Sequence, residues 1–282
     1  MSAPRRPAGR ITVNALGVVV FVIAVFPVFW MVVTSLKTNG EITGGAPHLV
    51  PAHPTAENYT YIFRVGVGGN PFWLYFKNSA LLALGAVVVS SFAALLAAVA
   101  VARFRFRGKT AALVMLLVVQ MIPCEALVIP LFLMVRRAGL WDKLPGVLLV
   151  YVGVTLPFAI WMLRGFVAAV PRELEEAAAI DGAGWWRTFR SVLFPLVAPG
   201  LVATSIFSFV TAWNDLVFAL TLLNDDANYT VPIALEYFFG RDTTNWGAIM
   251  AGSTLMTVPV VIFFLLVQRR MVTGLTSGAV KG

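Results

Sequence analysis

Residues 171–195 read PRELEEAAAIDGAGWWRTFRSVLFP, and this polar stretch interrupts a chain that is otherwise strongly apolar. The chain has 282 residues, of which 59% are hydrophobic and only 12% are charged. Four of its 13 acidic residues fall in this one stretch: Glu173, Glu175, Glu176 and Asp181. Crossing a membrane requires no such cluster, so the stretch indicates a surface that contacts another protein.

The overall composition is that of an integral membrane protein. Soluble domains carry about 25% charged residues, roughly twice the fraction found here, and the mean hydropathy is +0.86. The 21 basic residues lie in short runs between apolar segments, which favours contact with a lipid bilayer over nucleic-acid binding. With one cysteine (Cys124) and two histidines (His48 and His53), we expect no disulfide, metal site or cofactor.

Six segments are apolar enough to cross a bilayer, which requires about 20 residues each. They are approximately Ile11–Ser35, Phe72–Ala102, Ala111–Val135, Leu144–Ala168, Leu193–Leu223 and Trp246–Val267. The first has basic residues before it, but it is longer than the apolar core of a signal peptide, so we interpret it as an uncleaved span. The predicted fold class is an all-α integral membrane protein with six transmembrane helices.

The distribution of basic residues predicts which side of the membrane holds the termini. With six spans both termini share a side, and that side carries 14 basic residues: Arg5, Arg6, Arg10, Arg103, Arg105, Arg107, Lys109, Arg164, Arg172, Arg187, Arg190, Arg269, Arg270 and Lys281. The other side carries seven: Lys37, Arg64, Lys77, Arg136, Arg137, Lys143 and Arg241. Basic residues accumulate in the cytoplasm, so we expect both termini and residues 171–195 to be cytoplasmic.

Neither ATP hydrolysis nor another enzymatic reaction is expected of this chain. Gly108-Lys109-Thr110 resembles the end of a phosphate-binding loop, but Arg103 stands where the leading glycine is required. An intramembrane hydrolase would need a nucleophile beside a base or a carboxylate pair, and no histidine lies in a span.

Two carboxylates nevertheless lie within predicted spans. Glu125 is close to Pro123 and Pro130, which favour a bent helix, and Asp215 follows Trp213-Asn214 in the fifth span. They are candidates, with Asn214, for the lining of a polar translocation path. Alternatively they hold helices together through hydrogen bonds, and for Glu125 this second interpretation is slightly favoured.

Residues 171–195 have the features of a helix, a glycine turn and a second helix. Pro171 suits the first helical position, acidic residues suit the first turns, and Gly182 is placed to end the helix in a left-handed turn. A second short helix is expected from Gly184 to Pro195. Trp185 and Trp186 could be ordinary membrane-interface anchors. The small residues are better explained by close approach of a partner protein.

The same residues resemble a known family motif. Glu176-Ala177-Ala178, then Gly182, then Val192-Leu193-Phe194-Pro195 resembles the EAA motif of binding-protein-dependent ABC importer permeases, with Val192 and Phe194 in place of Ile and Leu. The stretch from Glu175 to Ala183 looks most like the sugar-importer branch, the second permease subunit of maltose-type systems. Further similarity covers the rest of the chain: Ser35-Leu36-Lys37, Pro54–Tyr59, Ala212–Asp215 and Gly274–Gly282.

The resemblance implies a transport subunit that catalyses no bond chemistry itself. Its partners would be a second homologous permease, two copies of a cytoplasmic ABC ATPase, an external solute-binding protein and the lipid bilayer, with no nucleic acid. The EAA segment would dock into the ATPase, with these residues carrying the coupling: Glu175, Glu176, Ala177, Ala178, Asp181, Gly182 and Pro195. The C-terminal tail would add contacts.

The resemblance also implies a domain arrangement and a location. Residues 1–73 would hold the cytoplasmic N-terminus, the first span and an outer loop, residues 74–269 the permease core, and residues 270–282 a cytoplasmic tail. The location would be the cytoplasmic membrane of a prokaryote. The alternative function is a self-sufficient secondary transporter or channel, although the duplicated halves frequent in such carriers are not evident.

Overall fold

A computed structural model describes residues 7–45, 48–66, 68–240 and 244–278, with 7–12 and 269–278 described by their backbone alone. The described residues are predominantly helical and contain no β-sheet, only one isolated antiparallel bridge between Phe239 and Thr244. The all-α prediction is confirmed. The chain divides into two compact units, residues 1–71 with 235–258 and residues 72–234 with 259–282.

The α-helices of the described residues are α1 Pro7–Ser35, α2 Asn39–Thr43, α3 Glu57–Val65, α4 Phe72–Arg103, α5 Lys109–Gln120, α6 Val128–Arg137, α7 Leu144–Ala169, α8 Arg172–Ile180, α9 Trp185–Thr188, α10 Phe194–Trp213, α11 Val217–Leu222, α12 Val231–Glu236 and α13 Trp246–Gly278. Short 3₁₀ helices cover Cys124–Leu127 and Asp226–Asn228, and a π-helix covers Phe189–Leu193. The predicted tail, 270–282, is helical to Gly278, and residues 279–282 lie outside the described residues.

The core of the second unit forms where α4, α7 and α10 pack together. Alanines 94, 98 and 159 are fully buried in this cluster beside Leu163 and Val197, so the helix backbones can approach closely. Two serine pairs join α4 to α10: the Oγ atoms of Ser90 and Ser208 are 3.2 Å apart, and those of Ser91 and Ser205 are 3.3 Å apart. Small residues and hydroxyl pairs therefore hold these helices together.

Within the part of the chain that the structure describes, five continuous helices are long and apolar enough to cross a membrane: Val13–Ser35, Phe72–Arg103, Leu144–Ala169, Trp185–Trp213 and Trp246–Gln268. The predicted third span is instead two helical segments, Lys109–Gln120 and Cys124–Arg137, bent by 101°. The break includes Pro123, which has no N–H to donate and disfavours helix in the residue before it. The prediction of a bend is confirmed, and six spans result if the bent pair counts as one.

The predicted fifth span, Leu193–Leu223, is wrong in its bounds. The helix begins at Trp185 and ends at Trp213, and α11 is a separate short helix. Asn214 donates its side-chain amide to the carbonyl of Val210, and Asp215 accepts N–H groups from the first turn of α11. Short polar side chains that bond to nearby backbone compete with helix continuation, so the helix stops here.

Asp142 joins two loops of the second unit, between α6 and α7 and after α11. Its Oδ1 accepts the N–H groups of Asn224 and Asp225 at 2.8 and 2.9 Å, and its carbonyl accepts from the amide of Asn228 at 2.8 Å. Partial burial acts to raise the pKa of this carboxyl, but the hydrogen bonds outweigh it and leave the pKa below its ordinary value. Its φ of 59° is also left-handed.

Candidate functional site

Residues 171–195, which we call the interspan segment, connect α7 to α10. Pro171 is the residue before α8 rather than its first residue, with φ −59° and ψ 136°, so the helix begins one residue later than predicted. Glu173 and Glu175 lie in the first turn, where negative charge is favoured by the helix dipole. None of the residues of α8 is buried.

Gly182 forms the predicted left-handed turn after α8. Its φ is 79°, and the N–H groups of Gly182 and Ala183 donate to the carbonyls of Ala179 and Ala178 at 3.0 and 2.9 Å. This pair of bonds is a Schellman motif, which satisfies the last carbonyls of the helix. A Cβ atom at Gly182 would meet no atom within 4 Å, so the requirement for glycine comes from the backbone angle alone.

The predicted second short helix is continuous with the following span. Trp185–Thr188 is α-helical, Phe189–Leu193 is a π-helix, and α10 follows directly. The π register appears in the bond from the N–H of Phe194 to the carbonyl of Phe189, and Pro195, exposed at the start of α10, has no N–H to restore the α register. One helix of 29 residues, Trp185–Trp213, thus leads from the interspan segment through the unit.

An aromatic cluster covers the start of this long helix. The ring of Phe189 stacks on Trp185 and Trp186, with centroids 5.7 and 5.5 Å apart and interplanar angles of 11° and 23°. Both tryptophans remain about 60% exposed, so the cluster is ordered but open to a partner or to lipid headgroups. A membrane anchor and a docking residue would both be exposed, so both interpretations of these tryptophans stay predictions.

The interspan segment is attached to α4 by Arg103, for which the sequence predicts no role in this segment. The guanidinium of Arg103 forms an ion pair of 2.6 Å with Glu175 and donates to the carbonyl of Val170 at 2.9 Å. Arg172 donates in return to the carbonyl of Arg103 at 3.3 Å. Glu175 is therefore paired with a residue of the same chain. The two residues are 72 positions apart, so no local sequence pattern could indicate the pairing.

The other predicted coupling residues face outward. Glu176, Ala177 and Asp181 are exposed, and Ala178 is half-buried. Two apolar side chains that sequence reasoning passed over extend this surface: Leu174 is 45% and Ile180 is 87% exposed. The exposed surface of α8 therefore carries apolar as well as charged side chains.

Two of the three candidate path residues, Asn214 and Asp215, are neighbours at the break between α10 and α11, whereas Glu125 lies on a different element of the second unit. Asp215 accepts the hydroxyl of Tyr151 at 2.9 Å and the N–H of Ala219 at 3.0 Å, so it joins α7 to the start of α11. Asn214 is exposed. Glu125 is exposed in a 3₁₀ helix, and its carboxylate forms no hydrogen bond or ion pair in the described part of the chain. The helix-holding role of Glu125 finds no partner there and stays a prediction.

Comparison with known proteins identifies relatives along nearly the whole chain. Residues 90–276 match the family model described as "binding-protein-dependent transport system inner membrane component". The diacetylchitobiose uptake system permease protein DasC of Streptomyces coelicolor is 42% identical over 97% of this chain and 98% of its own length. The trehalose transport system permease protein SugB of Mycobacterium tuberculosis is 41% identical over 92% of this chain and 93% of its own.

A solved structure confirms the fold independently. A chain in the crystal structure of a bacterial ABC transporter that imports the acidic polysaccharide alginate superposes with a TM-score of 0.80. The match covers 95% of this chain and 99% of that chain, at 22% sequence identity. At this identity the likeness establishes the architecture alone.

Proposed function

Because this chain belongs to the family of binding-protein-dependent transport system inner membrane components, we propose that it imports a sugar or related carbohydrate as the permease subunit of an ATP-driven transporter. The family implies a partner permease, an ATPase and a solute-binding protein. The carbohydrate assignment is supported by relatives named for diacetylchitobiose and trehalose. This proposal includes two copies of the ATPase and the location of both termini in the cytoplasm. It also includes the division of the chain into residues 1–73, 74–269 and 270–282.

The interspan segment is the proposed docking site for the ATPase. The observation that supports this proposal is the continuous helix that joins the segment to the fifth span. The helix Trp185–Trp213 extends for 29 residues, about 40 Å at 1.5 Å per residue. It runs from the exposed aromatic cluster to the break at Asn214 and Asp215. A displacement of its exposed end would therefore be transmitted along one helix to its other end.

The ion pair between Arg103 and Glu175 adds a second connection. It fixes α8 to the end of α4, so a partner that moves α8 also moves α4. The outward residues Glu176, Asp181 and Ile180 supply charge and apolar area to the partner, while Glu175 keeps the segment attached. Pro195 marks the point where the π register returns to α-helix.

Glu125, Asn214 and Asp215 remain the proposed polar positions of the translocation path. Asp215 positions α11 through its bonds to Ala219 and Tyr151, whereas Glu125 and Asn214 offer exposed polar groups. Cysteines introduced at 125 and 214 in a Cys124→Ser background would report access. Labelling by a polar thiol reagent to an extent that changes with the ATP state would support the translocation-path assignment. If neither cysteine is labelled in any ATP state, the assignment is contradicted.

The coupling role is tested by Gly182→Val with Gly184→Ala as the matched control. A β-branched residue is strained at a φ of 79°, whereas Gly184 has an ordinary φ of −67° and open space around it. We expect Gly182→Val to insert normally but to lose uptake by about tenfold or more, with weaker ATPase co-purification. Gly184→Ala should behave as wild type. Normal uptake together with normal ATPase association in Gly182→Val would contradict the proposal.

A further inference from the structure

The connection between α4 and α5 alternates aromatic and basic side chains. α4 ends at Arg103 and α5 begins at Lys109, and the residues between them, 104–108, read FRFRG. All five are exposed, and the two phenylalanines keep 54% and 47% of their surface accessible. We call residues 104–109 the basic loop. None of them belongs to the interspan segment or to the proposed path.

The cations of the basic loop have no counterions in the chain. Neither Arg105 nor Arg107 forms an ion pair or a side-chain hydrogen bond with a described residue, and the same holds for Lys109. The guanidinium of Arg103, by contrast, is already bound to the interspan segment. No acidic residue occurs in residues 58–124. The loop therefore presents three positive charges and no negative charge, which favours an anionic partner.

The length of the basic loop keeps it at the membrane surface. Residues 78–102 carry no charged side chain and extend about 37 Å as a helix, enough to cross a hydrocarbon core of about 30 Å. Residues 110–124, on the other side of the loop, are also uncharged. A connection this short reaches at most about 10 Å beyond the helix ends, and the headgroup layer is roughly 5–8 Å deep. The loop side chains therefore lie at the level of the lipid headgroups.

The aromatic cluster of the interspan segment lies beside the basic loop. Phe104, Trp185 and Phe189 line one cavity of about 180 Å³. The N–H of Phe104 donates to the carbonyl of Ala100 at 3.1 Å, so the start of the loop is held to the end of α4. Exposed aromatic rings next to arginines are typical of surfaces that lie in the membrane interface.

We propose that the basic loop binds the headgroup of an anionic phospholipid such as phosphatidylglycerol. The guanidinium groups of Arg105 and Arg107 would donate to the phosphate oxygens, which match the planar donor fork of arginine. The rings of Phe104 and Phe106 would pack against the glycerol and the first acyl carbons. A soluble protein is disfavoured as the partner, because it would have to enter the headgroup layer to contact these side chains. The site is separate from the interspan segment and does not depend on an ATPase.

The test titrates the full chain in a neutral detergent with dioctanoylphosphatidylglycerol, and in parallel with dioctanoylphosphatidylcholine and with inorganic phosphate. We expect phosphatidylglycerol to raise the melting temperature saturably and to bind about tenfold more tightly than either comparison. Arg105→Gln with Arg107→Gln should weaken that affinity about 25-fold, because each cation near an anionic lipid contributes about fivefold. The matched control, Arg136→Gln with Arg137→Gln, removes two adjacent exposed arginines at the end of α6 and should change nothing.

A second variant, Phe106→Ser, keeps every charge and should weaken phosphatidylglycerol binding about threefold. Equal affinity for the two lipids, equal stabilisation by inorganic phosphate, or equal losses in the α6 control would each overturn the proposal. Unchanged lipid affinity in the loop variant would also overturn it, and loss of ATPase co-purification in that variant would assign the loop to the ATPase instead. The lipid measurements do not use transport, so their failure leaves the proposed importer function standing.

Discussion

At the scale of single residues, Asp142 carries a pH dependence. Its carboxylate receives two backbone N–H groups, and the resulting depressed pKa means that the stabilisation is complete above the ordinary carboxyl pKa of about 3.9. It is lost as the pH falls through the lower folded-state pKa. The two loops that this residue joins should therefore loosen in acid.

We expect Asp142→Ala to lower stability at pH 7 by about 1 kcal/mol, a figure already reduced because the side chain is largely solvated. Asp142→Asn keeps one acceptor oxygen and tolerates the φ of 59°. This variant should lose less stability at pH 7 than Asp142→Ala, and its stability should fall less steeply than that of the wild type between pH 6 and about pH 3. Melting temperatures in detergent across this range provide the measurement. An identical acid profile for wild type and Asp142→Asn would refute the assignment.

At the scale of elements, the attachment of α8 to α4 is the contact to test. The side chains of Arg103 and Glu175 are 11% and 25% exposed, so their ion pair is only partly screened by solvent. We expect Glu175→Gln to destabilise the protein by about 1 kcal/mol and to reduce uptake, because α8 is released from α4. Glu176→Gln, on the exposed side of the same helix, is the matched control and should leave stability unchanged.

A double-mutant cycle separates pairing from simple loss of charge. If the two residues act as a pair, exchanging them as Arg103→Glu with Glu175→Arg should recover part of what each single change loses. Additive losses in thermal unfolding of the four proteins would mean that the pair contributes no coupling. The attachment would then rest on the hydrogen bonds of Arg103 to Val170 and of Arg172 to the carbonyl of Arg103.

The elements differ in how far sequence could predict them. The spans follow from runs of apolar residues, and the turn at Gly182 follows from its position after Asp181, because both are local patterns. The ion pair of Arg103 joins residues 72 apart, and the cross-loop bonds of Asp142 reach about 80 residues, so neither has a local signal. The bend was predicted from Pro123 and Pro130, but no local pattern indicates its angle of 101°.

The fifth span shows how tertiary context moves a boundary. Hydropathy continues through Leu223, which is why the span was extended that far. The side-chain bonds of Asn214 and Asp215 stop the helix ten residues earlier, and their partners include Tyr151 on another helix. At the other end, the π-helix joins Trp185–Thr188 directly to α10. The separate helix predicted after Gly184 is therefore part of the fifth span.

At the scale of the whole molecule, the topology is the prediction to check. In a Cys124→Ser background, Asn39→Cys and Gly184→Cys each place one thiol at an exposed position, on α2 and before α9. We expect the first to react with a membrane-impermeant maleimide in intact cells. The second should react only after permeabilisation, because the basic side is cytoplasmic.

The control for this labelling is the cysteine-free Cys124→Ser chain, which should not react in either condition. Labelling of position 184 in intact cells together with protection of position 39 would reverse the orientation. It would also remove the interspan segment from reach of an ATPase.

The turn at Gly182 has a stereochemical consequence. Its φ of 79° is strained for an L-residue, and a Cβ would meet nothing there, so handedness rather than bulk decides which residue fits. A D-alanine introduced by chemical ligation would adopt this angle without strain, since it mirrors the preference of its L-enantiomer, whereas L-alanine would cost about 1 kcal/mol. The D-residue would also narrow the unfolded ensemble at that position, so the segment would gain rigidity while keeping its shape.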